Sequence, residues 1–500
     1  MLERYCDILV IGNELPGLIS AAFLARRGLS VQVVDSNLFG EHEKYPDPTC
    51  FTNLQSKLLR SILGRLNVPE LTIQNFLNND ESLQVIFPEH RIDVFSNPVP
   101  YFEEIEREFP SHFDKLKAFY ENQAKLRHQI DISEFFQKLL PHSWKERREF
   151  QKFIEEQKLS DKNSEYQALC KQDARIHAFL KSQYVLAYDQ FCEEPFSYQV
   201  SELFNPGDGE IFSLRAGLDD LKKMLHDRIL HYDGGVKKQV QINSLLFRNG
   251  VFEGADIDAQ NSQVLCKYLL WNDSLDKLAE LLPKKWRFRK LRKQLSDVQS
   301  EFHWFSLSFQ IDKNYLPDPL KSNAVLITDP NKDLIGSNFL YLQIFKDKLM
   351  PKGKVCVHFL LPQSALDENE EFFSPYFSEI ENRLRTLFPF CDDKLKLEFP
   401  VANPTIEQDT LFPLHENDFE IFKHAAKANG VSVQNQKDFG ELFDLHYRTP
   451  APNFFLTNSA VFRGLGTESQ FILGLKITDI IWQEVEKVKK RAMKSERRIA

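Results

Sequence analysis

The order of apolar and polar positions predicts a strand, a helix and a second strand within the first 35 residues. Residues 6–11 are apolar at five of six positions and are followed by a glycine, which is typical of a buried β-strand. Residues 18–28 carry apolar side chains at helical spacing after a Pro-Gly pair, and they predict a helix. Residues 31–35 predict a second strand that ends on Asp35. Together these segments predict a βαβ unit of about 30 residues.

Two later intervals carry longer patterns. Helical periodicity with charges on one side recurs between residues 96 and 205, and the interval 286–420 alternates strand and helix patterns. The segments are 101–109, 113–130 and 144–159 for the helices of the first interval, 302–309 and 354–361 for the strands of the second, and 372–388 for its helix. Neither interval contains a repeat or a low-complexity linker, so we expect two interleaved domains.

The turn after the first strand differs from a nucleotide-binding turn at one position. Dinucleotide-binding units read G-x-G-x-x-G here and carry an acid about 20 residues later, which binds a ribose. This chain reads Gly12-Asn13-Glu14-Leu15-Pro16-Gly17, and Asp35 is the acid. Glu14 replaces the glycine that lets the backbone approach the pyrophosphate. Two unit charges about 4 Å apart repel by roughly 1 kcal/mol in water and about 4 kcal/mol at a protein surface.

Two placements are open for the Glu14 side chain. The start of a helix attracts anions, so the carboxylate can itself occupy the phosphate position. Alternatively, the side chain points to solvent while a cofactor binds in a shifted pose.

Composition narrows the functional class. The 500 residues are 42% apolar and 27% charged with a net charge of −9, so we expect a globular protein without a nucleic-acid partner. Seven single cysteines without a C-x-x-C pair indicate reduced thiols and a cytoplasmic protein. We see no signal-peptide pattern and no apolar run long enough to span a bilayer. No spacing of histidines or cysteines predicts a metal site.

Three segments together resemble the FAD-dependent oxidoreductases of the phytoene desaturase and amine oxidase superfamily, carotenoid isomerase-like members included. The first is the βαβ unit. Residues 209–272 place a glycine turn, a helix, a Gly-Gly pair, a strand and a hairpin in the order of the family's second FAD-contacting section. Residues 453–482 are similar to its C-terminal section, in which a glycine-rich loop and a helix face the flavin. The resemblance implies an α/β fold with a Rossmann-like domain, an α+β substrate part, and FAD as cofactor.

The resemblance also implies which residues bind the cofactor. They are Gly12, Asn13, Glu14, Gly17, Asp35, Gly40, Arg215, Gly217, Ile242, Asn458, Ser459, Gly464 and Gly466. In the family, the strand near Ile242 touches the adenine. An aspartate at the position of Ser459 binds a flavin-chain phosphate or a ribityl hydroxyl.

These motifs are incomplete. Glu14 replaces the middle glycine of the first turn, and Ala216 replaces one glycine of a Gly-Gly pair. Asn458-Ser459 replaces the Gly-Asp pair of the family. Only 19 of the 500 residues are glycine, whereas an average chain has roughly 7%. Because phosphate cradles need glycine for close backbone approach, we expect FAD binding to be weakened or lost.

The family's organisation divides the chain into two interleaved domains and a tail. The FAD-binding domain is expected at residues 1–95, 206–285 and 421–482, the substrate or cap domain at 96–205 and 286–420, and a basic C-terminal tail at 483–500. The tail has few apolar residues, which favours a solvated helix end over a membrane-surface or partner-docking arm.

Three functions fit this pattern. The first is a flavoenzyme with desaturase, isomerase or amine oxidase chemistry on an apolar substrate. The second is a catalytically inactive pseudo-oxidoreductase that serves as a binding or scaffold subunit, as a homo-oligomer or with a protein partner. The third is a carrier of an apolar ligand without redox chemistry.

The sequence offers no further site residues. We identify no catalytic acid or base. We expect the 43 phenylalanines mainly to fill cores rather than to line a substrate tunnel.

Overall fold

Two large β-sheets organise the described part of the chain. The computed structural model describes residues 5–35, 46–77, 83–141, 143–206, 211–212, 214, 217–257, 262–298, 300–345, 352–391, 394–400, 416–433, 445–462 and 464–499. The strands in these ranges are β1 (Tyr5–Ile11), β2 (Val31–Val34), β3 (Phe51–Thr52), β4 (Leu83–Ile86), β5 (Arg91–Val94), β6 (Gln190–Phe191), β7 (Ile211–Phe212), β8 (Gly235–Lys237), β9 (Ile242–Arg248), β10 (Val251–Ile257), β11 (Ser262–Trp271), β12 (Phe302–Asp312), β13 (Asn323–Ile327), β14 (Phe339–Phe345), β15 (Lys352–Pro362), β16 (Lys396–Phe399), β17 (Gly430–Val433) and β18 (Phe454–Leu456).

The helices of the same ranges surround these strands. They are α1 (Leu15–Arg26), α2 (Asn53–Arg65), α3 (Glu70–Leu77), α4 (Pro98–Glu108), α5 (Phe113–Gln129), α6 (Ile132–Lys138), α7 (Trp144–Glu156), α8 (Ser164–Cys170), α9 (Ala174–Tyr188), α10 (Ser197–Leu203), α11 (Gly217–His231), α12 (Leu275–Leu281), α13 (Arg289–Asp297), α14 (Glu370–Leu387), α15 (Glu416–Ala428) and α16 (Gly466–Ile499).

The first sheet contains the predicted βαβ unit. Among the described strands its order is β8-β2-β1-β11-β10-β9, with β18 paired to the end of β11. β1 and β2 are parallel, with Ile8 opposite Val31, and α1 connects them. Every residue of α1 except Arg26 is buried. A parallel sheet covered on both faces explains why its strands read as continuous apolar runs, and the βαβ prediction is confirmed.

The second sheet lies between two further cores. In the described ranges its order is β5-β4-β13-β14-β15-β12-β17-β6, with β16 beside β12. Successive side chains of β12 point to opposite faces, so Trp304 packs in the core beneath α4, α5 and α9, whereas Phe305 packs in the core beneath α14 and α15. The strands predicted at 302–309 and 354–361 and the helix predicted at 372–388 are confirmed as β12, β15 and α14.

Sheet membership departs from the expected domain boundaries. Residues 83–94 and 430–433, which we assigned to the FAD-binding domain, form strands of the second sheet. Conversely, Phe135 of α6 and Leu291 of α13 pack in the core of the first sheet. The reason is long-range pairing, since β4 lies parallel to β13 about 240 residues later. Local periodicity does not report such a pairing.

A single long helix includes the predicted tail. α16 begins at Gly466 and continues to Ile499, so the basic residues near its end extend a helix rather than forming a separate element. Its first half packs closely against α1. The Ser20 hydroxyl of α1 donates to the Gly474 carbonyl oxygen of α16 at 2.8 Å. Within the described ranges, no helix combines the length and the apolar character needed to cross a lipid bilayer.

Candidate cofactor site

The carboxyl ends of three parallel strands meet beside the start of α1. β1 is followed by Gly12, β2 by Asp35 and β11 by Asn272. The backbone N–H of Asn272 donates to the Ile11 carbonyl oxygen at 2.7 Å, which fixes the ends of β1 and β11 side by side. Ligands of open α/β sheets bind at this edge, so this is the place at which a nucleotide would be expected.

The two glycines of the first turn are required by Asn272. A Cβ atom on Gly12 would lie 2.0 Å from the Asn272 carbonyl oxygen, and one on Gly17 would lie 2.2 Å from the Asn272 Cγ. The Asn272 side chain is fully buried, accepts from the Gly17 N–H at 2.9 Å and donates to the Glu14 carbonyl oxygen at 2.7 Å. These glycines therefore have a packing role that does not depend on a nucleotide.

The Glu14 carboxylate binds the C-terminal motif. The Asn458 side-chain amide donates to its Oε1 at 2.6 Å, and the Ser459 backbone N–H donates to its Oε2 at 2.5 Å. Asn458 also donates to the Asp273 carbonyl oxygen at 2.9 Å. Two predicted motifs separated by more than 440 residues therefore meet, and they are bonded to each other. Of the two placements left open by the sequence, the structure has the carboxylate inside the site.

Glu14 is half-buried, and protein atoms surround its carboxyl group. Burial raises the pKa of the Glu14 carboxyl above its usual range, while the hydrogen bonds from Ser459 and the charge of Lys222 oppose the increase. The Asn458 and Ser459 donors stabilise this half-buried carboxylate.

Asp35 and Ile242 lie at different places in the first sheet. Asp35 is buried, and its backbone N–H donates to the Lys237 carbonyl oxygen of β8 at 2.8 Å. Ile242 instead begins β9, at the opposite end of the sheet order from β8. β8 ends at Lys237, Gln239 has a φ of 57°, and the Val240 N–H donates to the Asp35 carbonyl oxygen at 3.0 Å before the chain continues into β9.

The start of α16 is enclosed by other parts of the protein. Gly466 has a φ of 52°, and a Cβ atom there would lie 2.1 Å from the Ala187 carbonyl oxygen at the end of α9. The Gly464 carbonyl oxygen accepts from the Gln199 side chain at 2.6 Å, and the Thr467 hydroxyl donates to the Cys50 carbonyl oxygen at 3.3 Å. The helix start that faces the flavin in the family thus contacts protein on several sides.

A second buried carboxyl lies in the first turn of α16. The Tyr198 hydroxyl donates to Glu468 Oε1 at 2.9 Å, and only 2% of Glu468 is exposed. Burial raises the pKa of Glu468 to about 7, while the Tyr198 hydrogen bond and the charge of Arg127 oppose the increase. Arg127 itself is paired with Glu202.

The Glu468 carboxyl is expected to make the protein less stable as pH rises from about 4.5 to 7. The folded state keeps this proton up to about pH 7, whereas the unfolded chain releases it near the usual pKa of 4.5. The folded state binds more protons in this window, so the free energy of unfolding falls with pH, by up to roughly 3 kcal/mol. Urea unfolding at about pH 5 and about pH 8 measures the slope.

Replacing Glu468 with glutamine should remove this part of the slope. The control is Glu156→Gln on α7, because the Glu156 side chain is 59% exposed and should leave the slope unchanged. An equal slope in the wild type and in Glu468→Gln would contradict the assignment.

Two of the remaining predicted residues, Gly217 and Asn13, lie in the described ranges. Gly217 begins α11 with a φ of 80°, in open space. Asn13 has a buried side-chain oxygen without a partner among the described residues, but this atom accepts hydrogen bonds and so offers nothing to a phosphate. Gly40 and Arg215 lie outside the described residues.

The residues at the start of α1 do not fit the diphosphate of FAD. Bound phosphates need donors from the helix start and from the C-terminal loop. Here the Gly17 N–H donates to Asn272, and the Ser459 N–H donates to Glu14. A phosphate placed between these two N–H groups would meet the Glu14 carboxylate, which has a like charge.

Sequence reasoning missed Asn272 and Glu468. A signal for Asn272 existed, because a polar residue directly after a buried parallel strand lies at the ligand-binding edge of the sheet. Glu468 lies two residues after Gly466, and nothing local indicates that its side chain reaches Tyr198 on α10.

The first sheet, its βαβ unit and the motif positions define the class of fold as that of dinucleotide-binding α/β oxidoreductases. No family model matches the chain, and no curated protein matches it. Solved structures do match over nearly the full length, at low identity. An oxidoreductase from Methanosarcina mazei has 15% identity, a TM-score of 0.56, and coverage of 95% of this chain and 100% of its own.

Two amine oxidases give a similar result. Cyclohexylamine oxidase from Brevibacterium oxydans has 11% identity and a TM-score of 0.55, and putrescine oxidase bound to putrescine has 11% identity and a TM-score of 0.54. Each alignment covers 96% of this chain and 99% of the other. The chain therefore has the fold of these oxidoreductases, and the α/β, Rossmann-like fold class is confirmed.

Proposed function

We propose that this chain is a catalytically inactive relative of FAD-dependent oxidoreductases, which has kept the fold without binding FAD and serves as a binding or scaffold subunit. The observation that carries the proposal is the pair of hydrogen bonds from Asn458 and Ser459 to the Glu14 carboxylate. A side chain of the protein supplies the negative charge that a phosphate supplies in the family.

The donors of the site support this proposal. The N–H groups of Gly17 and Ser459 and the amide of Asn458 all have acceptors within the protein. To bind, a diphosphate would have to displace the half-buried Glu14 carboxylate and break its two hydrogen bonds. Hydrogen bonds to a charged group contribute about 1.5–3 kcal/mol each.

The flavin end of the site gives a second line of support. The start of α16 contacts Ala187, Cys50 and Tyr198, and it contains the buried carboxyl of Glu468. In the family, this helix start faces the flavin, and the start of a helix favours negative charge. Here the Glu468 carboxyl lies in the same turn and accepts from the Tyr198 hydroxyl, so protein groups occupy the start of this helix.

The first test is the visible absorbance spectrum of the protein as isolated, followed by calorimetric titration with FAD. We expect no flavin absorbance and no measurable binding by the wild type. Glu14→Gly frees two donors and removes the like charge, so we expect weak FAD binding to appear, at least tenfold tighter than that of the wild type.

Glu70→Gly is the matched control, because Glu70 also begins a helix, α3, but its carboxylate contacts Arg60 and Gln74 on the surface. It should leave FAD binding undetectable. A wild-type protein that carries one FAD per chain would refute the proposal and restore the flavoenzyme hypothesis.

A further inference from the structure

The segment of residues 284–293 concentrates positive charge. Seven of its ten residues are Lys or Arg and none is acidic, in a chain whose net charge is −9. The seven are Lys284, Lys285, Arg287, Arg289, Lys290, Arg292 and Lys293. We call residues 284–293 the basic segment.

The structure of the basic segment directs these charges outward. A 3₁₀ turn at Trp286–Phe288 leads into α13. Phe288, Leu291 and Leu295 are buried in the core of the first sheet, and the Phe288 ring lies 5.0 Å from the Phe247 ring. The apolar side of the segment is thus anchored in the protein, while six of the seven basic side chains are exposed and Arg292 is half-buried.

Trp286 projects from the middle of this charge. It is 88% exposed, more than any other large apolar side chain in the described ranges. A tryptophan that is this exposed leaves a large apolar ring in water, and no burial in the protein offsets the unfavourable hydration of the ring. Such a ring next to several cations is the pattern of an interfacial anchor.

Within the described ranges, the basic segment has no acidic partner. Among the described residues, none of its seven cations forms an ion pair with a carboxylate, and only Arg287 has a polar contact, to the Pro450 carbonyl oxygen at 2.8 Å. Exposed lysines elsewhere do have such partners, as Lys145 has Glu149 and Lys152 has Glu156. The charge of the segment is therefore available to a partner outside the chain.

A second basic stretch is linked to the first through the contacts of a short loop. Two residues before Pro450, Arg448 approaches Glu484 of α16 at 3.7 Å. Beyond Glu484 the helix carries Lys487, Lys489, Lys490 and Arg491, with Val488 62% exposed. The loop at 448–450 therefore joins the basic segment to the basic end of α16.

We propose that the basic segment binds the surface of an anionic phospholipid membrane. Its Lys and Arg side chains would contact lipid phosphates and carboxylates, and Trp286 would lie at the level of the headgroups. Single-stranded nucleic acid is the other polyanion to consider, but its binding sites combine charge with several aromatic platforms along a groove. The basic segment presents one projecting tryptophan, which favours the membrane surface.

The test is sedimentation with vesicles. We expect the full-length protein to bind vesicles of phosphatidylcholine with about one third phosphatidylserine, and not vesicles of phosphatidylcholine alone, with binding that weakens as salt increases. Lys284→Gln with Lys285→Gln should lower the partition coefficient about tenfold or more, because each cation near an anionic surface contributes measurably. Trp286→Ala should lower it several-fold.

Matched substitutions on α7 provide the controls. Trp144 is 71% exposed beneath Arg148, and Trp144→Ala should leave binding unchanged. The double substitution Lys145→Gln with Lys152→Gln removes two exposed lysines that have acidic partners, and it should also leave vesicle binding unchanged. Circular dichroism reports whether each variant is folded.

Three outcomes would overturn the proposal. They are failure of the folded wild type to bind the anionic vesicles, binding that the basic-segment variants do not reduce more than the α7 variants do, and binding to a fluorescent oligonucleotide in place of vesicles. None depends on FAD, so the proposal and the proposed function can fail independently.

Discussion

Replacing Gly12 with alanine is expected to leave almost no folded protein. The new Cβ atom would lie 2.0 Å from the carbonyl oxygen of Asn272, 2.3 Å from its carbonyl carbon and 2.6 Å from the backbone nitrogen of Asp273. Gly12 also has a φ of 111°, a conformation that alanine rarely adopts. We expect a loss above about 4 kcal/mol, a large part of a typical domain's stability.

The obstruction cannot relax easily, because all three atoms belong to backbone. Asn272 is bonded through its N–H to Ile11, and Trp271 is paired with Ile11 in the parallel register of β1 and β11. Moving this segment would break the centre of the first sheet. Soluble expression and urea unfolding measure the effect.

Gly64 is the control, because it lies within α2 and an added Cβ atom would meet nothing within 4 Å. Gly64→Ala should raise the free energy of unfolding by up to about 1 kcal/mol, since alanine is the better helix former. If Gly12→Ala were as stable as Gly64→Ala, the close approach of Asn272 to the first turn would be wrong.

Replacing Phe422 with alanine is expected to cost about 3–5 kcal/mol of unfolding free energy. Phe422 lies on α15, is fully buried, and its ring centre is 5.1 Å from that of Phe305 and 5.5 Å from that of Phe373. The rings of Phe359 and Phe377 lie at 6.3 Å and 5.8 Å. Alanine would leave a cavity among four aromatic rings and remove their edge and face contacts. Urea unfolding of the wild type and the variant measures this loss.

Phe390 is the matched control because it is 81% exposed, so Phe390→Ala should change stability by less than about 0.5 kcal/mol. Equal effects of the two substitutions would contradict the packing of α15 on the second sheet.

More than half of the 43 phenylalanines are buried in the described ranges, which confirms that they mainly fill cores.

The sequence by itself determined the local elements of this protein. The βαβ unit, the strands at 302–309 and 354–361, and the helix at 372–388 follow from apolar periodicity, which depends only on neighbouring positions. The sequence also indicated that Glu14 was out of place in a nucleotide-binding turn. It could not decide where the carboxylate lies, because the start of a helix and bulk solvent are both acceptable to an acid.

Only the tertiary structure decided the contacts between distant segments. Glu14 meets Asn458 and Ser459, and Asn272 fills the space beside Gly12 and Gly17. The strand at 83–86 likewise joins the second sheet through a partner about 240 residues away. Such contacts depend on how sheets and helices assemble in space, and the energy of a buried carboxyl depends on the donors that this assembly brings to it. The spacing of residues along the chain predicts neither these contacts nor the energy of such a carboxyl.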